Sequence, residues 1–181
     1  MIEPGEVTEI CYLTHDLESA TARWARTVGA GPFFEMPCPD GELLLRGQPI
    51  RDSFRAVLGF SGNTVIEFIQ PLSEGPSLFT EVLAEKGEGA VHHVYPNIRA
   101  LNAAQYDALC KEYEADGLDR VLDFTVPGIG RNCFYDARAR ICCYIEVLEV
   151  NEGAFAMMDR MLDAHRAGPG DRPLRSAAEI L

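Results

Sequence analysis

The sequence has no Cys-x-x-Cys pair, no cluster of basic residues and no apolar run approaching the ~18 residues of a membrane span, and each absence removes a class of protein. Without paired cysteine spacing a structural zinc site is not expected. The opening segment MIEPGEVTEICYL lacks the basic stretch and long apolar core of a secretory leader. The six cysteines (Cys11, Cys38, Cys110, Cys133, Cys142, Cys143) are therefore expected to be reduced and the protein cytoplasmic. They read as small apolar residues, except that Cys142 is expected on the strand face of Tyr144 and Glu146, where it would line a pocket. Basic residues are few: 16 Lys and Arg against 28 Asp and Glu give a formal net charge of −12, which disfavours a nucleic-acid partner or an anionic membrane surface. The remainder is an ordinary globular composition, and 181 residues suffice for one domain, or two small halves, with a sizeable core.

Periodicity predicts a strand over Val7 to Thr14, alternating around Glu9, and then a helix capped by Asp16, with Glu18 in its first turn. Leu17, Ala20, Trp24 and Val28 share that helix's buried face, and Gly29 ends it. A short strand carries Phe33 and Phe34. Pro37 to Ile50 reads as a Pro/Gly-rich loop with an LLL segment, and that loop is an edge strand or a lid. SFRAVLGF and TVIEFIQ form a hairpin about Ser61-Gly62-Asn63, and Pro76 to Lys86 is a helix with Pro in its first turn, closed by Gly87. A His92-His93 strand, a helix from Ala100 to about Ala115, and strands at Arg120 to Val126, Asn132 to Asp136 and Ile141 to Leu148 follow. Gly128-Ile129-Gly130 is a hairpin turn rather than a phosphate loop, because no helix follows it. Strand, helix and three strands thus occur twice, and aligning Glu9 with His93 sets Leu17 against Leu101 and Ala20 against Ala104 without a gap. Two similar modules are implied, not a solenoid. The end of the chain is an amphipathic helix from Glu152 to Arg166 with Phe155, Met158, Met161 and Leu162 buried, its methionines serving as packing. From Gly168 onward it reads as loop or disordered.

Three stretches carry the chemistry. GEGAVHHVY is a glycine-marked turn feeding a strand with adjacent histidines, and strand alternation sends one ring inward and the other outward, with His93 the better candidate for a ligand. NTVIEFIQP places Glu67, and RICCYIEVLEV places Glu146, in the middle of apolar strands. Burying an unpaired carboxylate costs several kcal/mol, so both need partners, and a metal is the obvious one. A lone strand histidine is more often a satisfied core residue; two carboxylates on matching strands shift the balance. His15 and His165 read as solvated, as does Glu149, one face away from Glu146.

The segments EICYLTHDLESATARW, VIEFIQPLSEGPS, LAEKGEGAVHHV and YIEVLE, in this order and spacing, resemble the vicinal oxygen chelate superfamily of glyoxalases, methylmalonyl-CoA epimerase, extradiol dioxygenases and bleomycin-resistance proteins. The resemblance is nearest to the epimerase and glyoxalase-like branch. It implies an α+β fold of two βαβββ modules forming a cup-shaped mixed sheet. Module one would span 7–72 and module two 90–150 of a domain over 1–150, and 151–181 would be a C-terminal helix and flexible tail. It implies four metal ligands, at Glu9, Glu67, His93 and Glu146, although metal-dependent members usually carry His where Glu9 stands. The implied cofactor is a divalent ion (Mn, Fe, Co, Ni, Mg or Zn), held by a hard, oxygen-rich set. Three anionic ligands would leave such a site net negative and weaken it as a Lewis acid, which favours releasing Glu9 or Glu146 to act as the catalytic base. The implied activity is that of a glyoxalase-like metal-dependent lyase or isomerase/epimerase, abstracting a proton beside the carbonyl or thioester of a small substrate. The implied assembly is a homodimer. Nothing in the spacing selects Arg23, Arg26 or Arg99 for a substrate anion. A second reading is a non-catalytic protein, as in antibiotic resistance, holding a flat ligand between Phe33, Phe34, Tyr12 and Tyr144. An extradiol-type dioxygenase is the weakest reading, because that chemistry wants two histidines and one carboxylate.

Overall fold

The computed structural model describes residues 6–37, 39, 43–96, 102–126 and 128–180. Its first half runs β1 (Val7–Leu13), α1 (Leu17–Val28), β2 (Phe33–Glu35), β3 (Leu43–Leu45), β4 (Gln48–Ile50), β5 (Phe54–Ser61), β6 (Thr64–Pro71) and α2 (Leu78–Lys86). The second half runs β7 (Val91–Pro96), α3 (Ala103–Ala115), β8 (Asp119–Val126), β9 (Gly130–Asp136), α4 (Arg138–Ile141) and β10 (Tyr144–Leu148). The chain then continues through α5 (Glu152–Ala167), β11 (Leu174–Ser176) and a 3-10 turn at Ala177–Glu179.

All strands join one sheet in the order β11-β2-β5-β6-β1-β7-β10-β9-β8-β3-β4. The antiparallel pair β1–β7 is its centre, and β6, β5, β2 lie on one side as β10, β9, β8 lie on the other. Two βαβββ modules therefore pair within one chain into a curled mixed sheet. Alternation divides each strand between two faces. Val57, Ile66 and Phe68 pack outward against Leu17 and Ala20 of α1, and Cys133, Tyr135 and Val147 pack outward against Tyr106, Cys110 and Tyr113 of α3. The inner faces of both modules are left to form a cup.

Local chemistry fixes most boundaries. Asp16 accepts from the Ser19 N–H at 3.0 Å, and Gly29 closes α1 in the left-handed region (φ 70°). Val28, expected on the buried face, is 57 % exposed, because α1 contacts its aromatic cluster only as far as Trp24, while Thr21 is buried instead. Ser77 caps α2, so Pro76 precedes the helix rather than sitting in its first turn. Reciprocal bonds between Asn102 and Gln105 start α3 at Ala103; the expected start at Ala100, and Leu101 with it, lie outside the described residues.

Other expectations are corrected. The last strand begins at Tyr144, not Ile141, because Arg138–Ile141 coil into α4 and Cys142 takes a left-handed φ of 63°. Cys142 is thereby exposed and leaves the pocket face. On α5 the buried residues are Ala154, Met157 and Met161, with Phe155, Met158 and Leu162 only partly covered. The segment after Gly168 is not a loose tail: β11 pairs in parallel with β2, the Phe33 N–H donates to Pro173 O at 2.7 Å, and Ile180 is buried. In the 37–50 stretch the edge strand is β4, and the LLL segment, β3, lies one strand in from the edge. β3 and β4 form a hairpin, and β3 pairs with β8 of the other module. Cys38 falls outside the described residues, as does Arg99, and the other five cysteines are free thiols. No helix among the described residues is long and apolar enough to cross a membrane.

Candidate metal centre

Pairing alone assembles the floor of the cup. On β1 and β6 the partner of Glu9 is Val65, two residues before Glu67; on β7 and β10 the partner of His93 is Tyr144, two residues before Glu146. The two modules thus place their site residues by the same offset, and the central pair brings the four together. His93 Nε2 lies 3.0 Å from Glu67 Oε2, 3.4 Å from Glu146 Oε2 and 3.9 Å from Glu9 Oε1. All four residues are buried, His93 completely.

The adjacent histidines depart from expectation. Cys11 pairs with His93 but Tyr12 pairs with Val91, so His92 is the extra residue of a β-bulge, and both rings turn to the same side. Their Nδ1 atoms are 2.7 Å apart, so one must donate and the other accept. Burial, and then the charge of His93, hold His92 well below the ordinary histidine range; it is neutral and accepts. His93 Nδ1–H therefore donates, which aims its other nitrogen at the carboxylates.

Burial disfavours a charged His93, yet the neighbouring Cys11 and Glu146 outweigh burial and push it up. Burial first, then the charges of Glu146 and Glu67, raise Glu9 well above the carboxylate range. Asn132 Nδ2 donates to Glu146 Oε1 at 2.5 Å, and the Phe134 ring lies 4.6 Å from that of His93. From the sequence His92 is only the less favoured ligand of the pair and Asn132 is not singled out, although period-two alternation in β9 puts Asn132 on the face of Phe134. Cys11 was also missed: it is the cross-strand partner of both Glu67 and His93 and can join them as a ligand set, but burial and then Glu67 hold its thiol protonated.

These residues fit a divalent cation. His93 Nε2 is buried with no hydrogen-bond partner among the described residues, although three carboxylates surround it, and Asn132 Oδ1 is orphaned beside them. Three carboxylates in one dry cavity repel one another, and a hard cation relieves both defects. Above the floor is a cavity of ≈ 80 Å³, small beside the roughly 300–1,000 Å³ of drug-sized pockets, with walls that include Phe54, Phe79, Phe124 and Phe134. The aromatics expected around a flat ligand lie elsewhere: Tyr12 and Phe33 pack under α1, Phe34 packs on α5, and Tyr144 is in the core beside His92. Met157, expected only to pack, lines the cavity. His165 is not simply solvated, since its ring accepts from the Gly62 N–H at 3.1 Å and meets Gly31 O at 2.8 Å. Glu149 is paired with Arg131 at 2.5 Å.

Comparison with known families places residues 8–134 in a match to the Glyoxalase/Bleomycin resistance protein/Dioxygenase superfamily. Among solved structures, methylmalonyl-CoA epimerase from Mycobacterium tuberculosis is similar at 19 % identity and a TM-score of 0.57, covering 86 % of this chain and 97 % of that one. A hypothetical protein from Bacillus halodurans is similar at 16 % identity and a TM-score of 0.56, covering 83 % and 97 %. A variant of Streptomyces coelicolor methylmalonyl-CoA epimerase, in complex with 2-nitronate-propionyl-CoA, is similar at 18 % identity and a TM-score of 0.51, covering 80 % and 93 %. At these identities the likeness is one of fold. Comparison with curated proteins gives no match.

Proposed function

The chain belongs to the Glyoxalase/Bleomycin resistance protein/Dioxygenase superfamily, and from that premise we propose that it is a metal-dependent lyase or isomerase/epimerase that moves a proton beside the carbonyl or thioester of a small substrate. The observation that carries this reading is the orphaned His93 Nε2 set among Glu9, Glu67 and Glu146 at the floor of an otherwise apolar cup.

Glu67, His93 and Glu146 would hold the cation, the two carboxylates being those nearest His93 Nε2, and Glu9, farther from that atom though still grouped within 4.8 Å with His93 and Glu146, would remain as the base. A bound divalent ion supplies Lewis acidity that favours negative charge on a substrate carbonyl oxygen. A Glu9 carboxylate oxygen would take the proton from the adjacent carbon, and burial makes it a stronger base than an ordinary carboxylate. Returning the proton to the other face of that carbon inverts it, and returning it to a different atom isomerises the substrate. Expelling a group from the next carbon completes a lyase reaction. His92 and Asn132 hold His93 and Glu146 in place, and the phenylalanine walls exclude water.

The test is metal content by plasma mass spectrometry on untagged, chelator-free protein, followed by deuterium uptake from D2O into a panel of small ketones and thioesters. About one ion per chain, as in other single-metal sites, with exchange lost in Glu9→Gln while the metal is kept, supports the reading. No ion after supplying Mn, Fe, Co, Ni, Mg and Zn would falsify it and leave a non-catalytic binding role.

A further inference from the structure

The walls of the cup carry information about the substrate that the floor does not. Polar side chains among the described lining residues are confined to the floor: Glu9, Glu67, His93, Glu146 and Asn132. The walls above are apolar, with Phe54, Phe79, Phe124 and Phe134 joined by Met36 and Met157. No lysine or arginine lines the cavity among the described residues. The strands that build the cup do carry arginines, but alternation turns them to the outside. Arg55, between the wall residues Phe54 and Ala56, pairs with Glu35 at 2.6 Å and Glu18 at 3.0 Å. Arg131, next to Asn132, pairs with Glu149 at 2.5 Å and Asp107 at 3.0 Å.

Among the described residues, an anionic substrate group would thus meet no counter-charge on its way to a floor that carries three carboxyl side chains. Even with a divalent ion on the floor, the carboxylates that surround it offset its charge. A charge parked against phenyl walls instead would lose its water without any replacement hydrogen bond. We propose that the part of the substrate entering the cup is an uncharged carbonyl compound bearing an aryl or branched alkyl group, and that free carboxylates and phosphates are excluded from it. This deepens the proposed function and rests on it in taking the cup as the substrate site.

The experiment compares two probes that share one reacting ketone and differ in charge at the far end of the ring: para-acetylbenzoate and its methyl ester. Binding of each to the full chain is measured by calorimetry, once with Mn2+ supplied and once after chelation, with bound Mn2+ determined separately by equilibrium dialysis. The ester is expected to bind more tightly than the acid by about tenfold or more in both states, since like-charge contacts are strongly selected against in a closed site. Val126→Arg, which puts a cation on the half-buried part of the wall, is expected to narrow or reverse that preference while circular dichroism shows the fold retained. Equal or tighter binding of the acid to the wild-type chain overturns the proposal, as does failure of the ester to bind in either state. If Mn2+ does not bind but the ester preference persists in the chelated protein, the metal-enzyme reading fails while the substrate class stands. If Mn2+ binds and the acid is preferred, only the substrate class fails.

Discussion

On β1 and on β7 an extra residue is inserted just before the site residue, Thr8 ahead of Glu9 and His92 ahead of His93, so the two modules distort the backbone at the same place. The side chains at matching positions differ. Thr8 spends its hydroxyl on Tyr95 O at 2.9 Å, whereas His92 gives its ring nitrogen to His93. Across the hairpins, β9 presents Asn132 and Phe134 where β5 presents Ala56 and Leu58, as the pairings of Glu146 with Phe134 and of Glu67 with Leu58 show. Module two therefore holds its site residues through His92 and Asn132, whereas at the matching positions among the described residues module one has Thr8, turned to backbone, and Ala56, with Glu67 meeting the Cys11 thiol across the strand. The backbone repeat makes a symmetric cup, and under the proposed function its side-chain asymmetry would divide it into a braced half that orients the metal ligands and a looser half whose carboxylate exchanges the proton.

The largest effect that could break this division is loss of the metal itself. His93→Ala is expected to abolish metal binding and Glu9→Ala to leave the ion in place; plasma mass spectrometry showing equal loss in both would erase the distinction. Next is removal of the ion from the wild-type chain. At a metal concentration about 100-fold above Kd, binding is worth ~2.7 kcal/mol, so chelation should lower Tm by roughly 5–10 °C. By amide exchange, β1 and β6 should lose protection before β7 and β10. Smaller again, Asn132→Ala and His92→Phe should each weaken metal affinity by about 10–100-fold, the usual cost of removing a partner that orients a ligand. Thr8→Val, their module-one counterpart, should change affinity by no more than about twofold; a larger change would mean that the module-one bulge is also a brace.

The smallest effect concerns the joint between the modules. Glu88, in the turn before β7, accepts from Thr14 Oγ1 at 2.6 Å and the His15 N–H at 2.7 Å. Burial opposes its charged form, but these bonds outweigh burial and hold Glu88 below the usual carboxylate range. Its contribution is therefore present above the unfolded-state value of about 4.3 and is lost as pH falls through the lower folded-state value. Glu88→Gln should cost no more than ~0.5 kcal/mol at pH 7 for a side chain 43 % exposed, and nothing measurable by denaturant titration once the wild-type carboxyl is protonated.

Much of this was legible before any coordinates. Period-two patterns placed Glu67 and Glu146 in apolar strands, the Glu9-to-His93 alignment matches the observed register, and caps at Asp16 and Gly29 bounded α1. What alternation could not reveal is its own interruption. A bulge costs one residue and leaves no compositional mark, so His92 was assigned to the wrong face. The braces were missed for a related reason: Asn132 meets Glu146 diagonally between strands, and only pairing register shows which diagonal is close. The last strand likewise looked continuous through Cys142, because a left-handed residue other than glycine is hard to anticipate from composition. Tail order was illegible because a three-residue strand is stabilised by the edge that receives it, not by its own sequence.

The β3–β4 hairpin belongs to the first module by sequence and to the second by hydrogen bonding, since it lies on the outer side of β8. It acts as a strap across the repeat. Leu43 and Leu45 of the strap share a core cluster with Phe54 of β5 and with Leu122 and Phe134 of β8 and β9. Neither repeat can melt or be excised alone without stripping an edge from the other, so the internal symmetry ends in a single cooperative unit. A chain cut between α2 and β7 would yield two fragments that must find each other before either is whole.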